Sequence, residues 1–282
     1  MLKGGLVSLN SALPTLKPME RKVAEYILER PSEVVNLSIQ KLAGLADVSE
    51  ATIVRLCRSL NYKGFQELKL RLAADLSGND EPRTAYQEIE IDGPIGELVD
   101  SISHNNMRSI QDTMSVLSGE SLEVAIDAMY RARKIVLFGV GASGVIAMDL
   151  KQKLTRINYW CETGLGVDEL KTLAANLDER DVAFGISYSG GTRDVVDSLQ
   201  LAGENGAKTI SLTRFGTNPV AEAAQTNLFT SSLENSIRSG AMASRIAQLN
   251  VIDILYVGIL RKDHDRHIRS LESTRKAIKR QT

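Results

Sequence analysis

At two places in the 282-residue sequence, a mainly apolar run leads into a turn that is rich in glycine and in serine or threonine. The run at 134–138 leads into GVGASG (139–144), and the run at 181–186 leads into SYSGGT (187–192). A helical pattern follows each turn, and further apolar runs lie at 159–163, 208–212 and 228–230. Strands that alternate with helices form parallel sheets that are covered on both faces. The pattern therefore predicts a doubly wound α/β domain with a parallel sheet.

The first 77 residues lack this alternation and instead show apolar residues at helical spacing. Pro18 stands at the start of one helical pattern, and Ser38 is placed to cap another. Residues 47–49 (DVS) separate that second pattern from a third. Two short helices joined by a three-residue turn are typical of a helix-turn-helix. We therefore predict an α-helical helix-turn-helix domain ahead of the α/β domain.

The third helical pattern has the composition of a DNA-reading helix. Such a helix needs small or polar residues at its start to reach base edges, and basic residues nearby to contact phosphates. The candidate DNA-binding residues are Ser49, Glu50, Thr52, Arg55, Arg58 and Lys63. Many helix pairs share this turn, so an ordinary helical domain with solvated arginines is the alternative.

Charge divides the chain into three parts. Residues 1–77 carry 11 Lys and Arg against 8 Asp and Glu, whereas residues 78–100 carry one Arg against seven acids. The acidic stretch also contains turn-forming Asp-Gly-Pro at 92–94. We predict a DNA-binding domain at 1–77, an acidic linker at 78–96 and the α/β domain at 97–282. The formal net charge of −1 argues against binding nucleic acid by bulk charge.

Composition also indicates the compartment. Cys57 and Cys161 lie far apart and suggest reduced thiols, and no apolar run approaches the ~18 residues that span a membrane. The N-terminus is a weak match to a signal peptide. We expect a cytoplasmic protein without a membrane partner. His264 and His267 lack companion ligands, so we expect neither a metal nor a cofactor.

The two glycine-rich turns leave two kinds of ligand open. Gly139, Gly141 and Gly144 match the dinucleotide fingerprint, and Glu162 lies where a ribose-binding acid would stand. However, two hydroxyl-rich turns at helix starts suit one compact phosphate ester better than a long dinucleotide. A phosphosugar isomerase would need a base such as Glu234, which has no evident partner. An isomerase or an NAD-linked enzyme therefore stays as the alternative to a non-catalytic sugar-phosphate binder.

Residues 38–76 (SIQKLAGLADVSEATIVRLCRSLNYKGFQELKLRLAADL) closely resemble the helix-turn-helix of the RpiR-type bacterial transcriptional regulators. Residues 96–262 resemble the SIS (sugar isomerase) domain of that family, through FGVGASG (138–144), ISYSGGTRDVV (186–196) and SRIAQLNVIDILYVG (244–258). The resemblance implies a dimeric or tetrameric repressor or activator that binds double-stranded operator DNA and senses a phosphosugar. By that likeness Ser143, Ser187, Ser189 and Thr192 would hold the phosphate. Gly141 and Glu234 complete the set of residues that we predict for the phosphosugar site.

Two finer expectations concern the effector and the subunits. The GGL start and the stretch IRSGAMASRIAQL (237–249) resemble the MurR-like branch, which implies N-acetylmuramic acid 6-phosphate as the effector. The final ~40 residues read as one long helix with a basic tail. Within that helix, residues 246–260 are apolar on too many sides for a surface helix, which predicts a subunit contact there.

Overall fold

The computed structural model describes residues 4–77, 86–87, 89–164, 166–232 and 241–279. The chain divides into two compact units. The first takes the described residues of Met1–Val116, Phe215–Thr217 and Ser231–Arg238, and the second takes those of Leu117–Arg214, Asn218–Thr230 and Ser239–Thr282. The second unit thus starts at Leu117, whereas the sequence predicts the start of the α/β domain at residue 97.

The first unit is α-helical in its described residues. Its helices are α1 (Gly5–Ala12), a 3-10 turn (Leu13–Thr15), α2 (Pro18–Glu29), α3 (Pro31–Val34), α4 (Ile39–Leu45), α5 (Glu50–Ser59), α6 (Phe65–Ser77) and α7 (Ile95–Val116). The predicted helix start at Ser38 is confirmed, because its side chain accepts a hydrogen bond from the Lys41 N–H at 3.2 Å. Helix α1 was not predicted.

The helices of the first unit enclose an apolar core. Its fully buried side chains include Ile27, Leu42, Ile53, Leu56, Leu60, Leu68 and Leu72. The turn between α4 and α5 passes through Asp47, whose φ of 49° lies in the left-handed region. Aspartate tolerates that conformation better than most residues. This core and turn hold the two helices of the predicted helix-turn-helix together.

The second unit is an α/β domain. Its elements are α8 (Gly119–Arg131), β1 (Ile135–Phe138), α9 (Ala142–Arg156), β2 (Cys161–Thr163), α10 (Val167–Ala175), β3 (Val182–Ser187), α11 (Arg193–Glu204), β4 (Lys208–Arg214), α12 (Pro219–Glu222), β5 (Thr226–Thr230), α13 (Met242–Lys262) and α14 (His264–Lys279). The five strands are parallel in the order β2-β1-β3-β4-β5. The predicted parallel sheet is confirmed.

Alternating residues of the strands face two helical layers. Ile135 and Leu137 of β1 pack in one core together with residues of α8, α9 and α13. Val136 and Phe138 pack in the other core with residues of α10 and α11. Every residue of β1 and β3 is buried, as expected of parallel strands that are covered on both faces.

The strand order creates a switch point between β1 and β3. The chain leaves β1 for β2 on one side, whereas it leaves β3 for β4 on the other. Phe138, the last residue of β1, pairs in register with Gly185 of β3. The turns that follow β1 and β3 therefore lie side by side at the carboxyl edge of the sheet. In open α/β sheets this crevice is where ligands bind.

The end of the chain differs from the prediction of one long helix, which is wrong. The backbone leaves the helical region at Asp263, with φ −148° and ψ 73°, and α14 begins at the next residue. Asp263 then accepts a hydrogen bond from the Arg266 N–H at 3.3 Å, which satisfies a free donor at the start of α14. A helical pattern on both sides of the break conceals it in the sequence.

Helix α13 is the helix among the described residues that is long and apolar enough to span a membrane. Half of its most apolar stretch is buried in the protein, as in a core helix of a globular domain. Val251, Leu255 and Ile259 lie in the core of the second unit, whereas Ile254 and Val257 remain exposed. Packing in the core of the second unit thus accounts for much of the apolar character of α13.

An ion pair between an exposed arginine and a buried carboxylate joins the amino-terminal ends of β1 and β3. Arg133 donates from Nε and Nη2 to the two carboxylate oxygens of Asp181, at 2.9 and 2.6 Å. The Asp178 N–H donates to the same carboxylate at 3.0 Å. The side chain of Asp181 is fully buried, whereas that of Asp178 is partly exposed. Hydrogen bonds from Arg180 hold the pKa of Asp178 well below its usual range.

We expect Asp181→Asn to lower the free energy of unfolding of the second unit by about 2–3 kcal/mol, because it weakens the charge-assisted hydrogen bonds to a buried carboxylate. The matched variant Asp178→Asn should cost less, since the carboxylate of Asp178 is partly exposed whereas that of Asp181 is buried. Urea unfolding followed by the fluorescence of Trp160, the single tryptophan, measures both. Equal losses in the two variants would contradict this assignment.

Candidate functional site

The turn after β1 requires glycine at two positions. Gly141 has φ +60° and precedes the first residue of α9. A Cβ at Gly139 would lie 2.6 Å from the carbonyl oxygen of Ser143, closer than any real contact. The tight turn brings Ser143, which is half-buried, into the first turn of α9 at the carboxyl edge of the sheet.

The turn after β3 is held by its own hydroxyl groups. Ser187 is buried, and its Oγ lies 2.8 Å from Oγ1 of Thr192 and accepts a hydrogen bond from the Gly190 N–H at 3.2 Å. Ser189 is exposed and accepts from the Gly191 N–H at 3.3 Å. Ser187 and Thr192 thus shape the turn, while Ser189 lies on its outer surface.

Asn218 supports this second turn from the segment after β4. Gly190 has φ +70°, and a Cβ there would lie 2.1 Å from Oδ1 of Asn218. The Val220 N–H donates to the Gly190 carbonyl at 3.0 Å. Asn218 in turn donates to Oγ1 of Thr213 at 3.1 Å. Sequence reasoning missed Asn218, although an Asn-Pro pair after a strand is a recognised turn signal.

The two turns have the chemistry of an anion site. Each leads into the N-terminus of a helix, α9 or α11, where unpaired backbone N–H groups and the helix dipole favour negative charge. The two turns also contribute the side-chain hydroxyl groups of Ser143, Ser187, Ser189 and Thr192. Such donors suit a phosphate group.

The structure weakens the dinucleotide alternative. Glu162, at the end of β2, forms an ion pair with Lys151 of α9, with Oε2 and Nζ 2.9 Å apart. The carboxylate that would bind a ribose is therefore engaged within the unit. Glu234, the remaining predicted sugar-site residue, lies outside the residues that the structure describes.

The predicted DNA-recognition helix is α5. Ser49 caps it by accepting a hydrogen bond from the Thr52 N–H at 3.2 Å. Thr52 is buried, and its hydroxyl lies 2.9 Å from both Oγ of Ser49 and Nη2 of Arg55. Within the chain, Thr52 therefore positions Ser49 and Arg55. Glu50, which begins the helix, is exposed.

Three basic residues of the region are exposed. Arg55 and Arg58 lie three residues apart and so project from one side of α5, and Lys63 lies in the turn before α6. Nε of Arg55 also lies 3.9 Å from Oε1 of Glu20, a buried carboxylate of α2. Arg55 thus has a structural contact as well as an exposed guanidinium group.

The two histidines near the C-terminus have different environments. His267 is fully buried, bonds the Leu260 carbonyl through Nδ1 at 3.2 Å and packs against Tyr130 and Tyr159. His264 is exposed. Across the described residues, no three His, Cys, Asp or Glu side chains are grouped so as to hold a metal ion. Burial raises the pKa of the Cys57 and Cys161 thiols to about 12.

Comparisons with known families and proteins match both units. Residues 3–79 match the helix-turn-helix domain of the rpiR family, and residues 128–258 match the SIS domain. An HTH-type transcriptional regulator of Caldanaerobacter subterraneus is 45% identical over 93% of this chain and 92% of its own. The HTH-type transcriptional regulator HexR of Pseudomonas aeruginosa is 35% identical over 97% and 96%.

A solved structure is also similar along the whole chain. The Vibrio vulnificus NanR protein, complexed with ManNAc-6P, is 27% identical, with a TM-score of 0.62 over 99% of both chains. Fold and sequence together define a helix-turn-helix transcriptional regulator with a sugar-phosphate-binding domain. The chain belongs to the RpiR family of regulators, with a C-terminal SIS domain. Since relatives over nearly its whole length are named regulators, its role is regulatory and not catalytic.

We expect Gly190→Ala to destabilise the second turn. Alanine at positive φ costs about 1–3 kcal/mol, and the new methyl group would also displace Asn218. Gly191→Ala is the matched control, because its Cβ would come no closer than 3.9 Å to Ser189 and its φ is not positive. Thermal unfolding should show a lower Tm for the first variant and an unchanged Tm for the second. A Gly190→Ala protein that melts like the unmodified chain would contradict this geometry.

Proposed function

We propose that this regulator binds operator DNA through α5 and changes its DNA affinity when an amino-sugar phosphate occupies the crevice between the turns after β1 and β3. The regulated genes would serve catabolism of that sugar. The protein would act in the cytoplasm as a dimer or tetramer, with the DNA-binding function in the helices of residues 1–77 and the sensing function in the α/β unit that starts at Leu117.

The single observation that carries the effector assignment is the adjacency of the two hydroxyl-rich turns at the switch point. Phe138 and Gly185 are in register, so the starts of α9 and α11 lie at the same edge of the sheet. Two helix starts at one crevice favour a doubly charged phosphate over a neutral sugar. The exposed Ser189 and the half-buried Ser143 are the hydroxyl groups available to it.

The amino-sugar class is supported by resemblance and by structural similarity. The Vibrio vulnificus NanR protein was solved with ManNAc-6P, and its fold is similar to this chain over its whole length. The resemblance to the MurR-like branch suggests N-acetylmuramic acid 6-phosphate. Both compounds are N-acetylated hexosamine 6-phosphates, so we propose this class as the effector.

DNA binding by α5 is supported by exposure and charge. Glu50, Arg55 and Arg58 are exposed, whereas Thr52 is buried and orients Arg55. The left-handed turn at Asp47 ends the connection from α4, and the cap at Ser49 sets where α5 begins. This arrangement agrees with major-groove recognition by the N-terminal residues of the second helix.

We expect Arg58→Ala to weaken binding to DNA from upstream of the protein's own gene. Loss of one phosphate contact should reduce the slope of log K against log salt by about one. The control is Arg30→Ala, an exposed arginine at the end of α2 that stacks over Tyr26. Fluorescence anisotropy across a salt series measures both variants. Identical slopes for Arg58→Ala and the unmodified protein would remove α5 from the interface.

We expect Ser143→Ala with Ser189→Ala to abolish the response to the effector while leaving DNA affinity without effector unchanged. Both hydroxyl groups lie at the edge of the turns, so their loss should not unfold the domain. The probe is N-acetylmannosamine 6-phosphate, compared with N-acetylmuramic acid 6-phosphate and glucose 6-phosphate, in the same DNA-binding assay. Ser273→Ala, an exposed serine of α14, is the control.

The outcomes separate the parts of this proposal. A normal response of the double variant to a sugar phosphate would place the effector elsewhere. A response to glucose 6-phosphate and to neither N-acetylated sugar would overturn the amino-sugar class while keeping the crevice. A ligand can shift the equilibrium only through its different affinities for the two states.

A further inference from the structure

Helix α7 buries five polar residues and exposes four large apolar ones. Its buried residues are Ser101, Asn105, Ser109, Asp112 and Thr113. By contrast, Ile95, Val99, Met107 and Met114 are 77%, 58%, 59% and 70% exposed. A surface helix of a globular protein normally shows the opposite pattern. We call these four exposed residues the α7 stripe.

The buried polar face of α7 is satisfied within the first unit. Asn105 accepts from the Gln87 N–H and donates to the Gln87 carbonyl, both at 2.9 Å. Asp112 accepts from the Tyr86 hydroxyl at 3.2 Å. Thr113 exchanges hydrogen bonds with the backbone of Ser231 at 3.1 Å. These contacts fix which face of α7 is turned outward, so the exposed stripe is a built feature of the unit.

The amino-terminal end of the stripe is strongly acidic. Glu90, Asp92, Glu97 and Asp100 surround Ile91, Ile95 and Val99, and residues 89–100 contain no Lys or Arg. The single Lys or Arg in α7 is Arg108, whose Nε lies 3.1 Å from the Asp112 carboxylate. A parallel pairing of α7 with a second α7 would therefore bring carboxylates together. An antiparallel pairing would place them beside the carboxyl-terminal half of the partner helix, whose single Lys or Arg is already engaged with Asp112.

Helix α14 has the complementary character. Its 16 residues include five Lys and Arg against Asp265 and Glu272, and three of the cations lie in its last five residues. Ile268, Arg275 and Lys279 are spaced so that they share one exposed stripe of the helix. Ile268 and Ile278 are also exposed. Basic and aliphatic groups therefore alternate on its outer surface.

We infer that the α7 stripe of one chain binds α14 of a second copy of this chain, with the two helices antiparallel. That direction places Arg275, Lys276 and Lys279 beside Asp92, Glu97 and Asp100. Exposed aliphatic side chains of both helices would then be covered. At 1.5 Å per residue, α14 is about 24 Å long and fits within the about 33 Å of α7.

The contact would occur twice in a symmetric dimer and would link the sensing unit of each chain to the helical unit of its partner. This inference rests on the self-association proposed above and is independent of the effector. Mass photometry over a dilution series of the unmodified protein tests self-association first. A protein that stays monomeric at all concentrations would overturn both the proposed self-association and the α7–α14 contact. The proposed effector site and DNA-binding helix would not be affected by that result.

Two charge-reversed full-length proteins test the contact itself. The variant of the α7 region carries Asp92→Lys and Asp100→Lys, and the α14 variant carries Arg275→Glu and Lys276→Glu; all four positions are exposed. Each variant alone should dissociate at a roughly tenfold or higher concentration than the unmodified protein, because like charges then face each other. Mixed in equal amounts, the two should associate as the unmodified protein does, since both contacts of the mixed dimer regain opposite charges.

Other results would overturn the inference. Normal association of the α14 variant alone would mean that α14 is not in the interface. Failure of mixing to restore association would mean that α7 and α14 do not meet between chains. Glu29→Lys with Glu123→Lys, at exposed sites on α2 and α8, is the matched control and should associate normally. Circular dichroism checks that every variant keeps its helix content.

Discussion

The parallel pairing of β1 with β3 is the constraint on which the sensing domain depends. Phe138 and Gly185 are in register, although they are more than forty residues apart in the chain. The turns after β1 and β3 therefore lie at the same edge of the sheet. The helices that start there contribute their dipoles to the same crevice. Without this pairing, each turn would be an ordinary glycine-rich connection. In the proposed effector site, binding would therefore depend on topology as much as on the serine and threonine side chains.

Much of this arrangement could be predicted from the sequence, because apolar runs and glycine turns are local signals. β1, β3 and their turns were predicted within a residue or two, and so were the helices around Ser38 and Ser49. Features set by tertiary contacts were not. The break at Asp263 interrupts a continuous helical pattern, and the burial of Thr52 depends on how α5 packs. Asn218 supports Gly190 only because β4 returns beside β3.

The same contrast applies to the surface of α7. Its sequence shows apolar residues at helical spacing, which ordinarily indicate a buried face. In the structure the buried face of α7 is instead the polar one. Asp112 accepts a hydrogen bond from the Tyr86 hydroxyl, and Asn105 accepts one from the Gln87 N–H. Residues of the stretch predicted as a linker thus make specific hydrogen bonds to the helix that follows. Hydrophobic periodicity identifies the helix but not the direction in which it faces.

The ion pair of Arg133 and Asp181 lies at the amino-terminal edge of the sheet, opposite the crevice. The groups that secure β1 to β3 are thus separate from the groups available to an effector. If the proposed effector site is correct, substitutions at exposed positions such as Ser189 would alter which sugar is recognised while leaving the anchoring of the strands intact. A regulator built in this way can acquire a new effector during evolution by small steps, each of which still yields a folded protein.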